Sequence, residues 1–221
     1  MSGGGLALSW SGGKDSALAL RELRRRGLEP CALITTVTEG YERVSMHGVR
    51  KALLASQAEA VGLELVEVVI PPTCTNDLYD ARMAAAFAAV PLAGLESVAF
   101  GDLFLEDVRR YREERLAAAG KRALFPLWGR DTGELAREFL AAGFEAVVVC
   151  VDPRALDPSF AGRTYDTDVL ADLPPGVDPC GENGEFHTFV SSGPGFSAQV
   201  AYRLGASVQR DGFVFQDLIP V

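Results

Sequence analysis

Six residues near the start of the chain, Ser11-Gly12-Gly13-Lys14-Asp15-Ser16, combine two adjacent glycines, a cation and two hydroxyls. They follow the apolar run Leu6 to Trp10 and precede a stretch of helical periodicity from Ala17 to Leu23, which places them at a strand-to-helix junction. The first N–H groups of a helix have no partner within it, and the helix dipole adds partial positive charge, so an anion is favoured there. Paired glycines let the backbone approach that anion and adopt positive φ. Lys14 supplies a full charge, and Ser11 and Ser16 supply hydroxyl donors. The composition is that of a phosphate cradle, with a ligand-free glycine turn as the plain alternative.

The spacing selects among cradles. A Walker A loop needs Ser or Thr after Gly-Lys, and here Asp15 follows; the dinucleotide pattern G-x-G-x-x-G is also absent. The stretch fits S-G-G-x-D-S and resembles the pyrophosphate loop of the N-type ATP pyrophosphatases, in the adenine-nucleotide alpha-hydrolase-like superfamily. That resemblance implies cleavage of ATP between the α- and β-phosphates.

A second stretch, Gly181-Glu182-Asn183-Gly184-Glu185-Phe186-His187-Thr188, gathers two carboxylates and an imidazole. On a strand starting at Glu185, period-two geometry sends Glu185 and His187 to one face and Phe186 and Thr188 to the other. Glu182 approaches across the Asn183-Gly184 turn. These groups suit proton transfer, cation binding or the holding of ammonia; a hairpin with a solvated polar face is the alternative.

The elements that must position these residues follow from periodicity. Strands are expected at Leu6 to Trp10, Pro30 to Thr38, Glu64 to Ile70, Ser97 to Phe100, Leu124 to Trp128 and Glu145 to Val151. Helices alternate with them: after the loop, from Val49 to Val61, from Asn76 to Val90, from Glu106 to Ala119, and after Asp131, whose spacing to Glu134 makes a capping box. This alternation predicts an α/β fold, a doubly wound parallel sheet, over residues 1–151. Ligands of such sheets sit outside the carboxyl ends of the strands, where His47, Gly101 and Asp102 also fall. His47 reads equally as a nucleotide contact or as a surface residue at a helix start. Tyr79 and Arg82 read as packing and surface residues. Residues 152–221 lose the rhythm: Pro, Gly and Asp are frequent, strands are short, and Asp211-Gly212 signals a hairpin turn. They predict a small C-terminal α+β domain.

Composition narrows the partners. The net charge of −9 over 221 residues opposes a nucleic-acid partner. No apolar run approaches the roughly 18 residues of a membrane span, so a cytoplasmic protein is expected. Cys31, Cys74, Cys150 and Cys180 form no C-x-x-C pair, which disfavours zinc and dithiol chemistry and fits a reducing compartment. A homodimer is compatible with the size and acidity, although no residue pattern fixes an interface.

Taken in order, the loop, the segment Asp107 to Glu114, then Pro126-Leu127-Trp128-Gly129-Arg130, then G-E-N-G-E-F-H-T resemble the diphthine-ammonia ligase family across nearly the whole chain. The resemblance implies a ligase that adenylates a substrate carboxylate, releases pyrophosphate, and transfers ammonia to the activated acyl group. It implies ATP and Mg2+, with Ser11, Gly12, Gly13, Lys14, Asp15 and Ser16 on the phosphates and Asp15, assisted by Asp102, at the metal. Arg110 and Arg112 match an R-x-R-x-E pattern near the nucleotide. Glu182 and Glu185 match the glutamates of an E-G-G-E-F-E-T-like motif and, with Lys14, Asp15 and His187, are the catalytic candidates. Asn183 and His187 depart from that motif in the segment expected to touch the acceptor. The acceptor, diphthine or another carboxylate, therefore stays open, and for a bacterial member diphthine is not to be assumed. Two other readings compete: a nucleotide-binding regulatory module without turnover, and a pyrophosphatase acting on another acceptor. Cys180, beside the second motif, keeps thiol chemistry in view.

Overall fold

The computed structural model describes residues 5–40, 43, 48–89, 92 and 94–221; His47 lies outside them. Five parallel strands, β1 (Gly5–Ser9), β2 (Ala32–Thr38), β3 (Glu64–Ile70), β4 (Leu95–Ala99) and β5 (Arg122–Leu124), form one sheet in the order β3-β2-β1-β4-β5. The helices between them are α1 (Lys14–Arg25), α2 (Lys51–Val61), α3 (Asn76–Ala88) and α4 (Glu106–Ala118). The strand order reverses between β1 and β4, and the loops after those two strands flank that crevice, as the doubly wound expectation requires.

Period-two alternation along β1 separates two cores. Leu6 and Leu8 join Leu18 of α1 and Leu53 of α2 on one face, while Ala7, with Ile34, Val68 and Val98, meets Phe87 of α3 and Leu116 of α4 on the other. Each fully buried Leu or Phe contributes roughly 1.5–3 kcal/mol by leaving water.

Two expectations need correction. The strand expected at Leu124 to Trp128 ends at Leu124, because Pro126 cannot donate to a ladder and the chain turns. More consequentially, β6 (Glu145–Val151) is not a sixth strand of the parallel sheet. It pairs antiparallel with β7 (Phe186–Ser192) and β9 (Phe213–Pro220), and with β8 (Tyr202–Arg210) they form a second sheet ordered β7-β6-β9-β8. An almost wholly apolar strand is buried on both faces in either setting, so its sequence does not distinguish them. Helices α5 (Thr132–Ala141) and α6 (Thr167–Asp172) accompany this sheet in a small α+β unit of which α5 and β6 lie ahead of residue 152. Asp131 caps α5, its carboxylate accepting from the Glu134 N–H at 2.8 Å. Asp211 and Gly212 make the expected tight turn, with Asp211 at φ +53°.

The first core runs on without a break through Phe139 of α5 into Val147 to Val149 of β6 and Phe186 and Phe189 of β7. The second sheet is therefore packed against the α1 side of the first. Among the described residues no helix is long and apolar enough to cross a membrane.

Candidate active site

The loop between β1 and α1 is shaped by its glycines and by groups reaching it from elsewhere. Gly12 takes φ +78°, and a Cβ there would lie 2.6 Å from Gln57 Oε1, so only glycine fits. Gly13 caps α1 without a side-chain bond of its own. Its N–H donates to Ser11 Oγ at 3.3 Å, the Ser16 hydroxyl donates to its carbonyl at 2.8 Å, and the two serine oxygens are 3.4 Å apart.

Lys14 is placed differently from a residue pointing straight at a ligand. Its side chain is 2% exposed, and its ammonium donates to Asp15 and to the carbonyl of Cys180 while lying 5.9 Å and 5.5 Å from the ring centroids of Tyr165 and Phe186. Burial works against the charge, but Asp15, with Cys180 and Glu182 adding to it, outweighs burial and raises the Lys14 pKa above its ordinary value. Lys14 therefore remains a cation.

The loop after β4 closes on the same point. Gly101 packs on the Asp15 backbone, where a Cβ would sit 2.9 Å from the carbonyl carbon. Asp102 Oδ2 lies 3.1 Å from Arg112 Nε without hydrogen-bond alignment, and it is a buried oxygen with no hydrogen-bond partner. Burial raises the Asp102 pKa against the pull of Arg112, and Asp15 raises it further. Arg112 also lies over the Phe100 ring at 4.2 Å.

The turn before β7 is held by two carboxylates. Asp178 Oδ1 accepts from the N–H groups of Cys180 at 2.8 Å and Glu182 at 3.2 Å. Glu185 Oε1 accepts from the Asp178 N–H at 3.0 Å and from Asn183 Nδ2 at 2.9 Å, while its buried Oε2 has no hydrogen-bond partner. Glu185 thus folds back into its own turn. The Glu182 carboxylate instead crosses to the β4–α4 loop, accepting from the Leu103 N–H at 2.7 Å and the Phe104 N–H at 3.4 Å. Burial, with Asp15 and Asp102 adding to it and the Leu103 N–H opposing, pushes Glu182 up to about 7.

Phe186 and Thr188 face α1: the Phe186 ring lies by the Lys14 ammonium, and Thr188 Oγ1 accepts from the Lys14 N–H at 3.1 Å. His187 is lowered to about 4 by burial and by the Lys14 charge, with Glu185 opposing, so it is neutral at pH 7. Cys180 is pushed up to about 12 by burial despite Lys14 nearby, and its thiol donates to the Thr132 carbonyl at 3.3 Å. It remains a thiol at neutral pH rather than a nucleophile.

A cavity of about 570 Å³ opens at the carboxyl ends of β1, β2 and β4. Trp10, Ser11, Thr36, Tyr79, Phe100 and Arg112 are among its lining residues, a mixture of ring faces, hydroxyls and, with Arg115, two guanidinium groups. Of the nucleotide candidates among the described residues, Ser11 and Arg112 line it; Gly12, Gly13, Lys14, Asp15, Ser16, Gly101, Asp102 and the exposed Arg110 do not. Tyr79, expected to be a packing residue, does line it, whereas Arg82 is exposed as expected. Among the described residues no three His, Cys, Asp or Glu side chains form a metal cage. A divalent ion would fit only as a hard cation sharing one or two carboxylates with phosphate oxygens, and Asp102 Oδ2, which pairs with Arg112 but makes no hydrogen bond, suits that.

Sequence reading missed Gln57. It is fully buried, accepts from Trp10 Nε1 at 3.0 Å, and donates to the carbonyls of Gly12 at 3.0 Å and Val190 at 2.6 Å. Its signal was present: a lone amide among Leu53, Leu54, Ala58 and Val61 on the apolar stripe of α2.

Two family models match the chain. One, described as the diphthamide synthase N-terminal domain, covers residues 5–121, and one described as the diphthamide synthase C-terminal domain covers residues 131–210. The chain is similar to the diphthine–ammonia ligase of Rattus norvegicus, at 32% identity over 174 residues, 74% of this chain. It spans 63% of that protein, less than two thirds of its length. The diphthine–ammonia ligases of Mus musculus and Homo sapiens are each 24% identical to it, over 93% and 86% of this chain and 85% and 79% of theirs.

Proposed function

Because the chain belongs to the diphthamide synthase family, we propose that it is an ATP-dependent, AMP-forming ligase that joins ammonia to a carboxylate of the diphthine type. The observation that supports this reading best is the meeting of three segments at one point. The Ser11–Ser16 loop, the Asp102 loop and Glu182 are tied together by the Lys14 and Glu182 hydrogen bonds.

In this reading the adenosine occupies the 570 Å³ cavity, with its base between the aromatic walls, and the triphosphate runs to the loop. The acceptor carboxylate attacks the α-phosphorus, forming an acyl-adenylate and releasing pyrophosphate. Ammonia then attacks the acyl carbon and AMP leaves. Phosphoryl transfer needs little covalent help from protein, so placement and charge neutralisation by Lys14, Arg112 and the loop amides carry that step. Asp15 and Asp102 are the residues we assign to Mg2+, which would neutralise phosphate charge. In the second step Glu182 takes the proton that the attacking nitrogen loses; a group titrating at about 7 suits that task better than His187 at about 4. Glu185 acts by fixing the turn that presents Glu182. We further propose that the ATP-handling unit ends ahead of β6, since that strand takes β7 and β9 of the second sheet as its partners.

The test is to incubate the purified protein with α-labelled ATP, Mg2+, ammonium and a cell extract supplying acceptors. AMP with pyrophosphate is expected. ADP would overturn the loop assignment, and ATP binding without cleavage under every addition would favour a regulatory module.

A further inference from the structure

The carbonyl of the Gly12–Gly13 peptide is held by two groups from outside the loop, neither of which a phosphate-binding role requires. The Gly12 carbonyl accepts from Gln57 Nε2 at 3.0 Å and from the Val190 N–H of β7 at 2.9 Å. In a trans peptide the carbonyl and the following N–H point in opposite directions. Anchoring the Gly12 oxygen toward α2 and β7 therefore aims the Gly13 N–H the other way, to the side on which it meets Ser11 Oγ. A peptide flanked by two glycines flips at little steric cost, so its orientation must be imposed from outside.

Gln57 is the part of that restraint with a side chain to change. Its amide bridges Gly12 and Val190, and its oxygen fixes the Trp10 indole that walls the cavity. We propose that Gln57 is a positioning residue that locks the Gly12–Gly13 peptide with its N–H toward the polyphosphate and fastens strand β7 to the loop. This rests on the ATP-binding reading above and adds to it a residue outside the two motifs. Gln57 touches no substrate; it acts through the peptide it holds.

The consequence is selective. Releasing the peptide removes a donor from the polyphosphate, while Trp10 loses one hydrogen bond but stays held by core packing at 1% exposure, so affinity for phosphate and affinity for adenosine separate. Calorimetric titrations of wild type and Gln57→Met with adenosine, pyrophosphate and ATP test this, alongside a thermal melt. The expected result is adenosine affinity within about twofold of wild type, with pyrophosphate and ATP weakened about tenfold or more. Equal losses for all three ligands, or no loss for any, would overturn the proposal. Should Gln57→Met not fold, Gln57→Glu keeps the volume and the acceptor for Trp10 while removing at least one of the two donated bonds, and the same comparison applies. If wild type itself bound neither ATP nor pyrophosphate, the ATP-binding reading would fall and this inference with it, an outcome distinct from failure in the variant alone.

Discussion

The N–H of Lys14, the first residue of α1, donates to the Thr188 hydroxyl of β7 at 3.1 Å, joining residues 174 positions apart. An amide in the first turn of a helix has no partner within it, and the usual solution is a side chain at the N-cap. Gly13 has no side chain to offer. The second sheet supplies the missing acceptor, so the loop is completed by a strand from the far end of the chain.

Thr188→Val removes that acceptor and leaves the shape. Thr188 is buried, so the orphaned N–H should cost on the order of 1–3 kcal/mol. Urea denaturation of the two proteins measures the difference. Equal midpoints and slopes would mean that the amide has another partner.

Lys14→Ala removes a buried cation between Asp15, the Cys180 carbonyl and two aromatic rings. AMP release should fall by about 10²–10³-fold, the scale for loss of one charge-stabilising donor. The sequence alone suggests a change that spares the fold, but the buried Asp15 pairing predicts a lower melting temperature as well. Turnover close to wild type would remove Lys14 from the mechanism.

The Glu182 carboxyl sets a pH dependence. As a base it must be ionised, so kcat should rise as pH increases through about 7, and Glu182→Gln should lose that limb together with most turnover. Stability moves the other way. A carboxyl raised from 4.5 to about 7 binds its proton more tightly in the folded protein, so its contribution weakens as pH climbs across that window. Glu182→Gln should therefore gain stability relative to wild type between pH 4.5 and 7, and chemical denaturation at both ends of the window gives the sign.

Filling the cavity should separate nucleotide affinity from chemistry. Thr36, half-buried in the second half of β2, lines the cavity together with Trp10 and Tyr79. Thr36→Trp should raise KM for ATP about tenfold or more, with a smaller change in kcat, because it displaces the nucleoside without touching the loop. Unchanged KM in steady-state kinetics would put the adenosine elsewhere.

Much of this was legible in one dimension because it is local. A strand, two glycines and a helix start make the Ser11–Ser16 junction whatever surrounds them, and alternating periodicities require a parallel sheet with its loops at one end. Asp131 capping α5 and the Asp211-Gly212 turn are local in the same sense. What tertiary structure alone decided is where locally ambiguous residues go. The apolar strand β6 suits either sheet, and its antiparallel partners were fixed by the packing of the second sheet on the α1 side. Thr188 was assigned a strand face by its alternation, but alternation cannot say that Lys14 lies on that face. Gln57 is an isolated amide in an apolar stripe until Gly12, Trp10 and Val190 are brought around it. The physical reason is that a buried group, whether the backbone of an apolar strand or a polar side chain, must find its partner, and that partner can lie anywhere in the chain.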